Sequence, residues 1–514
     1  MKRSSYLILT LILIGALVPK LAVCQNISRV NPAEPNEKTR LLKAIESDPD
    51  NLSLHQDYLD LFSAKDTVQL ISKYSQLGKK YPKSAVIPFA FGGFLKKVYH
   101  IKAKDYFEKA LSLRPDWAEV WIKLYETSYL TTSDSIKIGY LKKAMDKAPK
   151  NLDYRMRYIS ALQSVDKMKS DSLYIEVAKR YPDSLQAGQA LWELSLYTDN
   201  KDIKRAYYNQ LFKSKHATTF RGAIFDYFAL LINNSEYREA LEVSLTMDFK
   251  TFTNNTLRWK FYTKVARQFI EAKQLLNEKQ PDAALLAFNN IKLKDNFSAV
   301  SIGAADHLFL LKAEANDMAG RTSLSYDSVM NYYSRQPSDL FSDIMFKYAR
   351  KIGKDSNQVY TDVNAIRYKG VKKATPFSLL HYETSKKVAL EDFKGKVVLL
   401  TYWFPSCGPC RAEFPYFESV LKKFNRDQVA YIGINTTPEE DALVLPYIKD
   451  SGCTFIPLKD NPLWDRGNID WSGAPTNYLI DQEGNVVFSN FRTHKGNERT
   501  LELMIAELLN KKAK

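Results

Sequence analysis

The chain has 514 residues, 45% of them hydrophobic and 26% charged, which describes ordinary folded protein too long for a single core. Four cysteines in that length exclude a disulfide-stapled scaffold. Net charge is +16, of which +15 falls in the first 370 residues while residues 371–514 are close to balance at +1.

The first residues, Met1-Lys2-Arg3, an apolar run over 6–18 and Leu21-Ala22-Val23-Cys24-Gln25, read as a secretory signal over residues 1–24. The run is too short to span a bilayer comfortably. The mature chain is therefore expected to be exported, in the periplasm or cell envelope. Leu21-Ala22-Val23-Cys24 also resembles a bacterial lipobox, which would lipidate Cys24 and anchor the chain. The bulky Val23 fits that poorly, whereas ordinary cleavage before Gln25 would remove Cys24. In an exported chain, lysines scattered through helical pattern form a solvated face, so no nucleic-acid partner is expected.

Residues 25–353 carry a repeat. Prolines stand at 49, 82, 115, 149 and 182, at spacings of 33, 33, 34 and 33, each between two helical patterns. Ala103, Phe107 and Ala110 lie twelve, eight and five residues before Pro115, where small residues let paired helices approach and an aromatic fills the seam. Trp121, Leu124 and Ala144 in the next unit and Ala44 before Pro49 follow the same logic. That period marks helix-turn-helix arrays, and these residues resemble a degenerate tetratricopeptide repeat. Helical pattern continues to Gly353 without the proline ladder, although Pro337 marks one further unit. A superhelical all-α array is expected, with a groove for a protein partner. Any single aromatic of the array is expected to fill a seam between helices.

The pattern fades at Asp355-Ser356-Asn357-Gln358, and residues 354–373 read as a linker. Over 374–514 strands alternate with helices: strands at 377–380, 396–402 and 429–435, helices at 413–424 and 442–450, a hairpin of 476–481 with 486–488, and a helix at 501–509.

Between the buried strand and the first of those helices stands Trp403-Phe404-Pro405-Ser406-Cys407-Gly408-Pro409-Cys410. A cysteine at a helix N-terminus meets free backbone N–H groups and the helix dipole, which stabilise a thiolate. A second cysteine one turn on can close a small disulfide ring, so Cys407 and Cys410 read as a redox dithiol. Half of a zinc site is the alternative. It would need two more ligands, and only Cys453 and histidines at 55, 100, 216, 307, 381 and 494, in no cluster, are at hand. No metal and no cofactor are expected.

Four separated motifs, Ala374-Thr375-Pro376-Phe377, Gly395-Lys396-Val397-Val398, Cys407-Gly408-Pro409-Cys410-Arg411-Ala412-Glu413-Phe414-Pro415 and Gly473-Ala474-Pro475-Thr476, resemble in order and spacing the TlpA/ResA branch of exported thioredoxin-like proteins. The resemblance covers about 140 of the 514 residues and implies a C-terminal α/β thioredoxin-like fold. It implies that Cys407 attacks a substrate disulfide and Cys410 resolves the adduct. It further implies that Pro475 is the cis-proline of the substrate loop and that Glu413 exchanges the proton of Cys410. Trp403 would pack beneath the site, and Pro415 would kink the helix. Substrates would be disulfide-containing envelope proteins such as apocytochromes, and a membrane electron relay would supply the reductant.

Two departures stand out. Thr401 occupies the place of thioredoxin's buried aspartate, leaving more of the proton handling to Glu413. Ser406 replaces the usual tryptophan and removes an apolar cover from the substrate face. Cys453 begins an apolar stretch and reads as a buried free thiol. A thiol peroxidase would need a Pro-x-x-x-Thr/Ser-x-x-Cys frame, which Thr401 and Pro405 do not form. A repeat scaffold with an accessory thioredoxin domain is the other alternative.

Overall fold

The computed structural model describes residues 35–98, 100, 102–128, 133–198, 200–250, 256–294, 302–494 and 496–510. The expected signal segment and Cys24 lie outside the described residues. From Pro35–Ser47 to Ser356–Arg367 the described chain is a succession of helices, most of them packed on their neighbours in sequence.

The proline ladder is also a burial register. Leu41, Tyr74, Phe107, Leu141 and Tyr174 each stand eight residues before a proline, and all five side chains are buried. Five residues before come Leu77, Ala110, Ala144 and Val177, again buried, whereas Ala44 at the same offset in the first unit is half-buried. The prolines fall just after the helices Thr67–Lys80, Ala103–Leu113, Asp134–Lys147 and Lys167–Arg180, where the next helix must turn back. Close approach is demanded at Gly92, where a Cβ would stand 2.9 Å from the Phe107 ring. The cores overlap in sequence, running over residues 41–124, 122–194, 191–315 and 313–363. Each helix pair thus shares a core with the next, the nearest-neighbour packing of a repeat array.

The stretch expected as a linker differs. Residues Ser356–Arg367 form a helix, capped by reciprocal bonds between Asp355 and Gln358, and Val359 and Val363 are buried against the preceding helices. The polar run that suggests a loop is a capping box. The remaining residues are tied down as well. Val486 N–H donates to Lys372 O at 3.0 Å, and Ala374 N–H donates to Gly484 O at 2.8 Å.

The C-terminal part is one seven-stranded mixed sheet between helices. Its strands are β1 (Ser378–His381), β2 (Lys387–Ala389), β3 (Val397–Trp403), β4 (Val429–Asn435), β5 (Ile456–Lys459), β6 (Thr476–Ile480) and β7 (Val486–Ser489). They lie in the order β2-β1-β5-β4-β3-β6-β7. β3 runs parallel to β4 and antiparallel to β6 at the centre. Every β3 side chain is buried, as expected of a strand covered on both faces. Val397, Leu399 and Trp403 pack under the helices Gly408–Leu421 and Glu498–Leu509, while Val398, Leu400 and Tyr402 face the opposite core. The hairpin β6–β7 and β4 stand where expected. The helix expected at 413–424 starts earlier, at Gly408, because Pro409 suits a first turn that needs no N–H, and it stops at Leu421. β2 and β5 are additional; β5 contains Pro457, a residue that argues against a central strand.

The helix Glu498–Leu509 also meets the array. Tyr333 donates its hydroxyl proton to Glu507, and the Arg367 guanidinium pairs with the same carboxylate. Arg499 reaches Asp339 through Nε at 3.0 Å and Nη2 at 3.1 Å.

Candidate functional site

β3 delivers the chain to Phe404-Pro405-Ser406, and the helix Gly408–Leu421 begins immediately after Cys407. Cys407 is the N-cap residue, in extended backbone, with its Sγ accepting the Cys410 N–H at 3.2 Å. Cys407 and Cys410 form a disulfide with Cα atoms 5.4 Å apart, and both side chains are buried. One sulfur thus occupies a first-turn N–H that lacks an intrahelical partner.

The turn is fastened from the β4 side. Thr436 N–H donates to Trp403 O at 2.9 Å. Ser406 donates its N–H to Glu440 at 2.7 Å and its hydroxyl at 2.5 Å, so a buried carboxylate grips the residue before Cys407 from both ends. The role of Glu440 is absent from the sequence reading, since no local signal pairs residues 34 apart. The serine at 406 is its one trace.

Glu413 faces inward one turn past Cys410. Its side chain is only 6% exposed, and its oxygens accept from Asn477 Nδ2 at 2.9 Å and Thr493 N–H at 3.0 Å. Arg492 stands 3.7 Å away. Burial raises the Glu413 pKa, while Asn477, Arg492, Thr493 and His494 pull it back down. Glu413 is thus a buried carboxylate rather than one on the exposed face of the helix. Asn477 and Thr493 are further residues the sequence reading misses. Asn477 lies two residues after Pro475, and its relation to Glu413 follows from the sheet.

The Ala474–Pro475 peptide is cis. Ala474 packs against the core cluster that contains both cysteines, and Thr476 pairs with Tyr402, so the Pro475 loop lies at the end of β3 that leads to Cys407. Trp403 is fully buried and packs edge-on against Phe414 and Phe455. Pro415 lies inside the helix, as expected. Cys453 is a buried free thiol whose pKa burial pushes up to about 11. The sheet therefore brings Cys407, Cys410, Glu413 and Pro475 to one end of β3 and leaves Cys453 without a partner sulfur among the described residues. Among the described residues no group of three or more His, Cys, Asp or Glu side chains could hold a metal. No described helix is long and apolar enough to cross a membrane.

The helical array also approaches this face. Tyr125 is within electrostatic reach of Arg411, Tyr197 of Tyr416, and Asp134 and Lys137 of Asp450.

A mixed sheet centred on β3, with a Cys-x-x-Cys disulfide capping the following helix beside a cis-proline loop, defines a thioredoxin-fold dithiol domain. Residues 371–489 match the model of the AhpC/TSA family. The thiol-disulfide oxidoreductase ResA of Bacillus subtilis is 34% identical over 112 residues, 22% of this chain and 62% of that protein. The thioredoxin-like protein YneN of Bacillus subtilis is 32% identical over 139 residues, 26% of this chain and 78% of that protein. Through this C-terminal domain, the chain belongs to the thioredoxin-like proteins of the AhpC/TSA family. It spans less than two thirds of the ResA relative's length, at 62%. Among solved structures, a thioredoxin-family thiol:disulfide interchange protein of Chlorobium tepidum is 25% identical. It covers 27% of this chain and 97% of its own, with a TM-score of 0.25. The thioredoxin domain of a thiol-disulfide oxidoreductase of Bacteroides vulgatus is 25% identical, covering 26% and 96%, with a TM-score of 0.23.

Proposed function

We propose that this chain is an exported thiol–disulfide oxidoreductase that reduces protein disulfides in the cell envelope. The observation that carries the proposal is the Cys407–Cys410 disulfide at a helix N-terminus with the buried Glu413 carboxylate one turn on.

In the reduced protein the Cys407 thiolate attacks one sulfur of a substrate disulfide. A Cys407–substrate S–S bond forms, the substrate S–S bond breaks, and the departing thiolate takes a proton from water. Cys410 then gives its proton to Glu413 and attacks the Cys407 sulfur. The second substrate thiolate leaves and is protonated, and the enzyme holds its own disulfide. Two electrons pass to substrate for each dithiol oxidised, so a thiol reductant, fed by a membrane electron relay, must regenerate the pair. The Pro475 loop offers backbone beside the dithiol for an extended substrate segment. Glu440 keeps the turn ahead of Cys407 in place. The helical array serves as the surface that presents a protein partner to this face, which its approach to Arg411 and Tyr416 supports.

The test is a trap. Cys410→Ser, expressed in its native compartment, should accumulate mixed disulfides on Cys407 that reductant releases and Cys407→Ser abolishes. Absence of any adduct, while the array still captures a partner, would replace this proposal with the scaffold alternative.

A further inference from the structure

Resting on the proposed disulfide exchange, we infer that Asn477 is the positioning residue of the resolving step, holding the Glu413 carboxylate ready to take the proton of Cys410.

Thr401 and Asn477 stand directly opposite each other in the β3–β6 ladder. Directly opposed residues share one face of a sheet, with Cβ atoms about 5 Å apart. That face is the one under the helix Gly408–Leu421: Leu399 and Trp403 flank Thr401, Leu479 flanks Asn477, and all three belong to the core cluster that contains Cys407 and Cys410. Asn477 is fully buried. Its amide nitrogen donates to Glu413 Oε2 and to Phe491 O, each at 2.9 Å, while its Oδ1 has no partner among the described residues. Asn477 thus presents N–H donors to this buried space, one fixed by the Phe491 carbonyl and the other aimed at the Glu413 carboxylate, where a donor favours the anion.

The demand for it is physical. A buried carboxylate is driven toward its neutral form, in which it cannot accept a proton. N–H donors aimed at its oxygens restore the anion. Glu413 faces Cys410 on its own helix. From β6 it meets Asn477, from β4 Tyr431, and from the segment after β7 Arg492, His494 and the Thr493 N–H. Among these, Asn477 is the first counterweight to burial. Without this donor the balance moves further toward the neutral form, and less of the glutamate is ionised at any given pH.

The experiment follows release of thiol from a symmetric small-molecule disulfide, each half of which fluoresces when freed, by the reduced full-length protein: one half leaves on capture and the other on resolution. The capture phase is isolated in a Cys410→Ser background. Asn477→Leu should slow the second phase about tenfold at pH 7 and move its midpoint up by about one pH unit, with capture unchanged within about twofold. Combined with Glu413→Gln it should add no further loss. Asn477→Ser, which cannot reach the carboxylate, should behave alike if the leucine variant folds poorly. Thr401→Val, an equally buried change across the ladder, should leave rate and midpoint unchanged. A wild-type rate and midpoint in both Asn477 variants, additive losses with Glu413→Gln, or the same displacement in Thr401→Val would each overturn the inference. If the wild-type protein itself shows no second phase, the disulfide-exchange proposal fails instead.

Discussion

Glu413 is buried, and that has a consequence apart from catalysis. Burial is the largest influence and raises its pKa against the opposing donors. A carboxyl whose folded pKa lies above its unfolded value binds protons more tightly in the folded state. Its contribution to stability is then full below the unfolded pKa and lost as pH rises through the folded one. Glu413→Gln should therefore raise the thermal midpoint at pH 7–8, and the gain should vanish near pH 4. An equal gain at both pH values would mean that the carboxylate is not held with a raised pKa. Cys453 gives the contrasting case. Its thiol is buried and its pKa is pushed up to about 11, so it is a poor nucleophile at neutral pH. Cys453→Ser should leave disulfide reduction within about twofold of wild type, since serine adds no charge and the reactive pair lies elsewhere. Loss of activity in that variant would indicate a third redox sulfur.

Helices and strands show which parts of the chain were legible. The dithiol is local, since the apolar strand, the two-residue spacer and Pro409 lie within about a dozen residues, and the sequence read alone locates it. The repeat is legible for a similar reason: one spacing recurs, and the residues at fixed offsets are buried together. Gly92 expresses that packing most sharply, because its missing Cβ is what lets Phe107 in. Gly92→Val should cost about 1–3 kcal/mol by overpacking, read as a lower urea midpoint with an unchanged slope. What escaped the sequence reading has two physical causes. The helix Ser356–Arg367 opens on polar residues whose capping bonds exist only once the helix forms. Asn477 and Glu440 acquire meaning from strand register and from contacts 64 and 34 residues distant, which no periodicity encodes.

Across the whole molecule, the dithiol domain is attached to the array by more than a peptide. Arg367 is nearly inaccessible, with 3% of its side chain exposed, and it pairs with Glu507 while Tyr333 donates to the same carboxylate. Arg367 also donates to Ser334 O at 3.0 Å and lies over the Phe488 ring at 5.4 Å. Removing one member of a buried pair strands the other charge, at a cost of about 3–5 kcal/mol. Glu507→Leu should therefore separate one cooperative thermal transition into two, seen by calorimetry as an early-melting component. A single unshifted transition would show that the two parts do not stabilise each other. This attachment holds the helix Gly408–Leu421 within electrostatic reach of the helices that carry Tyr125 and Tyr197. Disulfide exchange at Cys407 is read out in the reduction of insulin disulfides under a thiol reductant. The wild-type protein should accelerate reduction, and Cys407→Ser should fall to the uncatalysed rate with its fold intact. Undiminished reduction by Cys407→Ser would contradict the account.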